Sequence, residues 1–369
     1  MTWKQFLKSK QFYIILDSVL LALAVTVLSA IFAANPDFTE THIARGWYRG
    51  ISQAVSWFFG LFPFSMAEVL IICGILAVLV YLVVCIVRVV RQKRWLPLLP
   101  FLTMALCLAS ILYSSFYALW GWNFSRHSLE ENLQYTVRES SEEELADLCR
   151  ELVGEINRLR PLVDQTEAGV MRIADTKEDL AKRAAKGYEK LESQELFGGT
   201  YCQPQYLMTS TAFCYMGITG IFIPYTFEAN VNGRTPDSSL PHTMLHEMAH
   251  QRGFPREDEA NFIAFLACRA HDDVDIQYSG YYVAYVYSIN ALYSHNAELA
   301  MEINATVDGG YHRDAAAASA FWKQFEGPIK EISTSVNNSY LQSNGQEDGV
   351  HSYGRMVDWL LAEKRARED

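Results

Sequence analysis

The sequence lacks a CxxC pair, an internal repeat and a low-complexity tract, and it is short of basic residues. Without CxxC, a zinc site built from cysteines is disfavoured. Cys202 and Cys214 are the nearest pair for a disulfide, but we favour free thiols for the seven cysteines. Lys and Arg number 31 against 42 Asp and Glu, a net charge of −11 that argues against a nucleic-acid partner. Apolar residues are abundant instead, because half of the 369 residues are hydrophobic.

The charges are distributed unevenly along the chain. Residues 1–122 hold 9 basic and 4 acidic residues, a net of +5, whereas residues 123–369 hold 22 basic and 38 acidic residues, a net of −16. This asymmetry predicts a membrane anchor over 1–122 and an acidic globular domain over 123–369. The second part is long enough to bury a core of its own.

Three stretches of the first part are long and apolar. They cover residues 12–34, interrupted only by Asp17, and residues 69–87 and 96–120, which carry no charge. A helix that crosses a bilayer needs roughly 20 such residues. We therefore predict three transmembrane helices, with the lipid bilayer as a partner.

Basic residues indicate how these helices are oriented. They precede the first stretch or separate the second from the third: Lys4, Lys8, Lys10, Arg88, Arg91, Lys93 and Arg94. Positive segments stay in the cytoplasm. We expect an integral membrane protein with a cytoplasmic N-terminus and an extracytoplasmic domain over 123–369.

The external connection between the first two stretches is rich in Trp, Tyr and Phe over residues 43–64. Aromatic residues concentrate where lipid meets water, which favours a segment lying on the membrane surface. A loop packed against the soluble domain is an equally good interpretation of the same composition.

The most informative motif is the pentad HExxH at residues 246–250. On a helix, positions four apart lie on one face, so His246 and His250 can bind one metal ion while Glu247 stands beside it. Two neutral nitrogen ligands, a carboxylate base and a position open to water suit zinc-assisted hydrolysis. We expect one Zn²⁺ and a zinc-activated water, with Glu247 as the general base. His242, one turn earlier, could close the site as a fourth ligand.

The third ligand must come from the residues after the pentad, and two carboxylates compete for that role. Glu257 and Glu259 both begin the next predicted helix, beyond the turn at Gly253. Glu257 shares its helix face with Asn261, which could orient a ligand by hydrogen bonding, whereas Glu259 faces an apolar stripe. We favour Glu257 and keep Glu259 as the alternative.

The rest of the second part is predicted to be helix-dominated, with a small sheet, and therefore of the α+β class. Ser141 with Glu144 is typical of a capping box, and residues 275–306, 312–340 and 352–366 have helical spacing. The exception is 218–227, whose β-branched and aromatic residues favour a strand.

A hydrolase of this kind also needs a donor for the tetrahedral oxyanion. The candidates are Tyr225, Tyr293, His295 and Arg355. No spacing singles out one of them, and each can equally serve a structural role.

The residues from His246 to Cys268 read HEMAHQRGFPREDEANFIAFLAC. This run resembles the gluzincin zinc peptidases, which carry HExxH and then a glutamate on a later helix. Within that group the chain resembles domain-of-unknown-function family 3810, whose members are membrane-anchored and metallopeptidase-like. The three N-terminal spans and the stretches YTFEANVN and GVHSYGRMVDWLLA also resemble this family, so the resemblance covers essentially the whole chain.

The resemblance implies a gluzincin-like zincin domain in a bacterial plasma membrane, with Glu257 as the third ligand. It also implies that the strand before the pentad, with Ile218, Ile221 and Ile223, is an edge strand that binds an extended peptide. Asn261 stands where gluzincins usually have Asp, and the linker from His250 to Glu257 is shorter than in thermolysin-like enzymes.

These observations predict a membrane-anchored zinc metallopeptidase that cleaves peptide or protein substrates outside the cytoplasm. A zinc-stabilised sensor or scaffold domain without catalysis is the first alternative. A zinc amidase that acts on cell-wall material is the second.

Overall fold

The computed structural model describes residues 9–346 and 348–368, with only the backbone of Leu96 and Tyr353. Lys4 and Lys8, used above for orientation, lie outside these residues. The chain divides into two compact units. The first contains the described residues up to Ile51 with Met66–Arg126 and Pro224–Thr226, and the second contains Ser52–Ser65, His127–Ile223 and the described residues from Phe227 onward.

Three long helices dominate the first unit, and they confirm the three predicted apolar helices. They are α1 (Lys10–Ala33), α4 (Met66–Gln92) and α5 (Leu99–Leu119). Each is long and apolar enough to cross a membrane. The shorter elements around these helices are α2 (Pro36–Phe38), a π-helix (Thr39–Tyr48), and 3₁₀ turns at Leu96–Leu98 and Gly121–Ser125. The helix α3 (Arg49–Phe59) begins in the first unit, but most of it belongs to the second.

Sparse polar groups join the apolar helices of the first unit. The hydroxyls of Thr26 on α1 and Tyr113 on α5 lie 2.9 Å apart. Between helices of apolar composition, such hydrogen bonds specify how the helices align. Outside the spans, the buried carboxylate of Glu40 accepts hydrogen bonds from Arg126 and Arg45, each at 2.7 Å, so its charge is compensated.

The second unit is mostly helical. Its α-helices are α6 (Leu129–Leu133), α7 (Glu142–Leu159), α8 (Lys177–Ala185), α9 (Gln194–Phe197), α10 (Ser210–Met216), α11 (Leu240–Gln251), α12 (Glu257–Arg269), α13 (Val274–His295), α14 (Ala297–Asn304), α15 (Gly309–Lys323), α16 (Pro328–Ser343) and α17 (Met356–Glu368). Short 3₁₀ helices cover Arg160–Leu162, Lys186–Lys190 and Gly349–Arg355. The predicted capping box at Ser141 and Glu144 is present and opens α7.

A small three-stranded sheet accompanies these helices, in the order β1 (Gln205–Tyr206), β3 (Glu228–Val231), β2 (Gly220–Ile223). β3 pairs parallel with β1 and antiparallel with β2. The mostly helical architecture with a small sheet is therefore confirmed. The strand predicted over 218–227 is shorter than expected, because Pro224–Phe227 forms the turn into β3.

Two predicted helical stretches are interrupted by capping residues. Asn296 leaves the helical conformation, and its side chain accepts the Leu299 amide to start α14. Gly327, with φ +146°, separates α15 from α16. Both residue types are weak helix formers, and each breaks a periodic apolar pattern that by itself predicts one continuous helix.

The core of the second unit is built around α11, α12 and α13. Every residue of α11 is buried, as are eleven of the thirteen residues of α12. α12 packs against α11 on one side and α13 on the other. The helix that carries the HExxH pentad therefore lies at the centre of the unit, held on several sides.

A buried ion pair joins distant segments of this unit. Nε of Arg160 lies 2.7 Å from Oδ2 of Asp314, and both side chains are almost fully buried. The Tyr278 hydroxyl and the Met171 amide donate to the same carboxylate at 2.6 and 2.7 Å. All the hydrogen bonds of this buried charge are thus satisfied, which buried ion pairs require.

Replacing Asp314 by Asn should destabilise the protein strongly. The guanidinium of Arg160 would stay buried without its counter-charge, which costs about 3–5 kcal/mol. Thermal unfolding of the full-length protein in detergent measures this loss. Asp147→Asn is the matched control, because that carboxylate pairs with Arg150 on the surface and should leave the midpoint unchanged. Equal midpoints for Asp314→Asn and wild type would contradict the prediction.

Candidate metal centre

The helix with the pentad ends where the sequence makes continuation impossible. α11 stops at Gln251, and Gly253 adopts φ +89°, a left-handed conformation that favours glycine. The Phe254 amide then donates back to the Ala249 carbonyl and closes the turn. α12 begins at Glu257, so the chain reverses within five residues and brings the first carboxylate of α12 to the last turn of α11.

This reversal places three potential ligand atoms at the corners of a nearly equilateral triangle. Nε2 of His246 lies 3.1 Å from Nε2 of His250 and 3.1 Å from Oε2 of Glu257, and the His250–Glu257 distance is 3.4 Å. Zinc bonds of about 2.0–2.2 Å at tetrahedral angles separate neighbouring ligand atoms by roughly 3.3–3.6 Å. One of the three distances lies within this range and two are slightly shorter, so the three residues could hold a single metal ion.

A hydrogen bond fixes the imidazole of His250 for this role. Its Nδ1 lies 2.7 Å from the Phe254 carbonyl oxygen, which can only accept, so Nδ1 carries the proton. When the ring is neutral, its lone pair therefore belongs to Nε2, the atom that faces Glu257. A carbonyl behind a metal-binding histidine commonly fixes the ring in this way.

The charges of the centre are strongly coupled. Burial acts to raise the pKa of Glu257, but the two imidazoles outweigh it and hold that pKa well below its usual range. Burial likewise opposes charge on His250, yet Glu257 and Glu247 outweigh it and raise the pKa of His250 to about 9. The cluster thus favours a positive charge among its donor atoms, as a cation site must.

The side chain of Glu247, the second residue of the pentad, lies between α11 and strand β2. Its side chain is buried, and the Phe222 backbone amide donates to its carboxylate. A Cβ on Gly220 would lie 2.5 Å from Oε1 of Glu247, so only glycine leaves room for the carboxylate there. Burial raises the pKa of Glu247 to about 7.

The two carboxylates considered as the third metal ligand have different surroundings in the structure. Glu257 faces both histidines and forms with them a buried group that could hold a metal. Glu259 lies elsewhere, where its Oε1 accepts the Leu129 amide and the Arg256 guanidinium, both at 2.9 Å. Glu259 is therefore paired with Arg256, whereas Glu257 faces the two histidines.

The two other polar residues expected near the ligands have different surroundings. Nε2 of His242 lies 3.2 Å from the Asn261 carbonyl oxygen, and His242 is not part of the ligand cluster. Burial, with His246 nearby, lowers the pKa of His242 to about 3, so its ring is neutral. The side chain of Asn261 is buried beside Tyr287 of α13 rather than bonded to a ligand atom in the described contacts.

The predicted oxyanion donors are scattered. Tyr225 belongs to the first unit, where its hydroxyl donates to the Leu112 carbonyl at 3.0 Å. Arg355 pairs with Asp348. Tyr293 and His295 are exposed near the end of α13. The described contacts of Tyr225 and Arg355 are thus with groups other than the three ligand candidates.

The strand expected to bind peptide is present in part. Ile221 and Ile223 lie in β2, and Ile218 precedes it in the turn after α10. β2 pairs only with β3 among the described strands, so it is an edge strand of this sheet. Through Gly220 and Phe222 it also lies directly against Glu247.

Two residues near the centre carried no signal in the sequence. Tyr287 of α13 lies beside Asn261 and close enough to Glu257 for burial and that carboxylate to raise its pKa to about 12. Gln346 accepts the Glu257 amide at 3.3 Å, and the Ser352 hydroxyl also donates to it. α13 is rich in tyrosine and Gln346 lies in a loop, so neither position shows a distinctive spacing.

Comparison with known proteins identifies the family. The family described as "Protein of unknown function (DUF3810)" matches residues 44–361. No curated protein and no solved structure is significantly similar to this chain. Because the family match spans most of the sequence, from the π-helix to α17, this chain belongs to the DUF3810 family.

Proposed function

We propose that this protein is a membrane-anchored, zinc-dependent metallopeptidase of gluzincin type. The observation that carries the proposal is the buried triangle of His246, His250 and Glu257, with Glu247 beside it. A zinc ion held there would supply Lewis-acid activation of water and of the scissile carbonyl. Nitrogen and carboxylate donors of this kind suit zinc better than Ca²⁺ or Mg²⁺.

The residues around the triangle support hydrolysis of a peptide bond. Glu247 can accept a proton from the water that attacks the carbonyl carbon, and it can later deliver that proton to the leaving amine nitrogen. β2 offers the backbone groups of an edge strand, to which an extended peptide can add antiparallel. Since Glu247 touches this strand, a peptide bound there would lie next to the base.

The number of ligands favours catalysis over a purely structural site. Structural zinc sites are closed by four protein ligands, whereas catalytic sites leave one position to water. Three residues form the cluster among the described side chains, and His242 faces the Asn261 carbonyl instead. This supports the enzyme over the zinc-stabilised sensor or scaffold.

The proposed location is the plasma membrane, as the family resemblance implies, and the basic residues around the apolar helices support an orientation with the N-terminus in the cytoplasm and the catalytic unit outside. In this orientation the substrates are peptides or unfolded protein segments on the outer side of the membrane.

The metal assignment predicts different effects for two carboxylates on one helix. Wild-type protein should bind one zinc per chain, and Glu257→Gln should weaken binding by at least about 100-fold, since a direct ligand should matter more than the 10–100-fold typical of its supporting contacts. Competition with a chromogenic chelator measures the affinity. Glu259→Gln is the control and should keep the wild-type value. Equal affinities for wild type and Glu257→Gln would refute the ligand set.

The assignment of the base predicts that Glu247→Gln loses activity but keeps its metal. Losing a general base should slow cleavage by about 10²–10⁴-fold. The measurement is cleavage of an unfolded protein such as casein by zinc-loaded, full-length enzyme in nanodiscs, with zinc content determined in parallel. Glu298→Gln removes an exposed carboxylate of the same unit and should cleave like wild type. Unchanged cleavage by Glu247→Gln would show that another group is the base.

A further inference from the structure

The segment between the first two membrane-capable helices has an inverted distribution of polarity. In the second unit it comprises Ser52–Ser65, including most of α3. Its serines Ser52, Ser56 and Ser65 are fully buried, whereas four of its large apolar side chains are exposed: Trp57 by 64%, Phe58 by 50%, Leu61 by 62% and Phe64 by 38%. A helix on a water-facing surface shows the opposite arrangement.

The buried polar face is held by specific contacts. Oε1 of Gln53 accepts the Thr200 amide at 2.8 Å, and Oγ of Ser56 accepts the Cys202 amide at 2.9 Å. At Gly60, an added Cβ would come within 2.4 Å of the Cys202 Cβ, so the backbones approach closely there. The orientation of this segment is therefore fixed, and its aromatic side chains cannot turn inward without breaking these bonds.

The same face is tied to the metal centre. Nε2 of Gln251 donates to Oγ of Ser56 at 3.1 Å and to the Phe227 carbonyl at 2.8 Å. Gln251 is the last residue of α11 and directly follows His250. One side of the segment thus supports the end of the helix that carries both histidines, and the other side presents four apolar side chains.

Chain connectivity indicates what covers the apolar side. Six residues separate Phe59, the end of α3, from Met66, the first residue of the membrane-capable helix α4. Even fully extended, this link reaches only about 25 Å, so the end of α3 lies within that distance of the start of α4. Trp and Phe are the side chains that concentrate at this boundary.

We propose that Trp57, Phe58, Leu61 and Phe64 form a lipid-docking face that inserts into the boundary between headgroups and acyl chains. The partner is the bilayer itself, bound through apolar side chains without a specific headgroup. This face would hold the end of α11, and with it His250, at the membrane surface. The inference depends on the packing of the segment and holds whether or not the centre is catalytic.

The test is fluorescence quenching of the full-length protein in phosphatidylcholine nanodiscs, with and without bromine on the acyl chains. The emission of Trp57 is the difference between wild type and Trp57→Phe, a substitution that keeps the face apolar. We expect this difference spectrum to be blue-shifted relative to a tryptophan in water and to lose most of its intensity in brominated discs. Trp359→Phe is the control, because that indole is buried in the second unit and its emission should not respond to bromine.

A second variant places the probe elsewhere on the same face. Phe64→Trp in the Trp57→Phe chain should restore a signal that brominated lipid quenches. A Trp57 emission typical of water would overturn the proposal, because the face would then be solvated. A blue-shifted emission without quenching would overturn it too, since protein, such as a second copy of the chain, would then cover the face.

Discussion

An ionised carboxylate buried away from water needs positive charge close by, and the two imidazoles that face Glu257 can supply it. Much of the second unit serves this juxtaposition. The turn at Gly253 reverses the chain, the Phe254 carbonyl orients His250, and α13 packs behind α12. A cation between the three donors would satisfy their charges and hydrogen-bonding capacity together. The same contacts that build the core of the unit therefore also position the candidate site.

The features that follow from local spacing were predictable from the sequence. The pentad predicted that His246 and His250 share a helix face, since residues four apart do so in any α-helix. Three apolar stretches predicted three membrane-capable helices, because the length and composition of a stretch are also local properties of the sequence. The preference for Glu257 over Glu259 came from the residues on each helix face. In the structure the two carboxylates differ for another reason, which is that Glu259 forms an ion pair with Arg256.

Features that depend on distant segments could not be predicted. Tyr287 and Gln346 reach the centre only because α13 and the loop after α16 fold back onto α12. The residues from Ser52 to Ser65 have a composition that fits both a membrane surface and a packed loop. In the structure one face of this segment packs against the second unit and the other is exposed, which agrees with the packed loop and leaves the membrane-surface interpretation a prediction. Periodicity reveals that a helix has two faces but not what each one contacts.

The contact between Gly220 and Glu247 has a consequence for how this family can diversify. Because no side chain fits at position 220, this position has almost no freedom to vary while a carboxylate stands at 247. Ile221 and Ile223 are only partly buried and carry no such restriction. Substitutions that leave Glu247 in place are therefore confined to later positions of β2, such as Ile221 and Ile223, whereas a side chain at position 220 would have to displace the carboxylate.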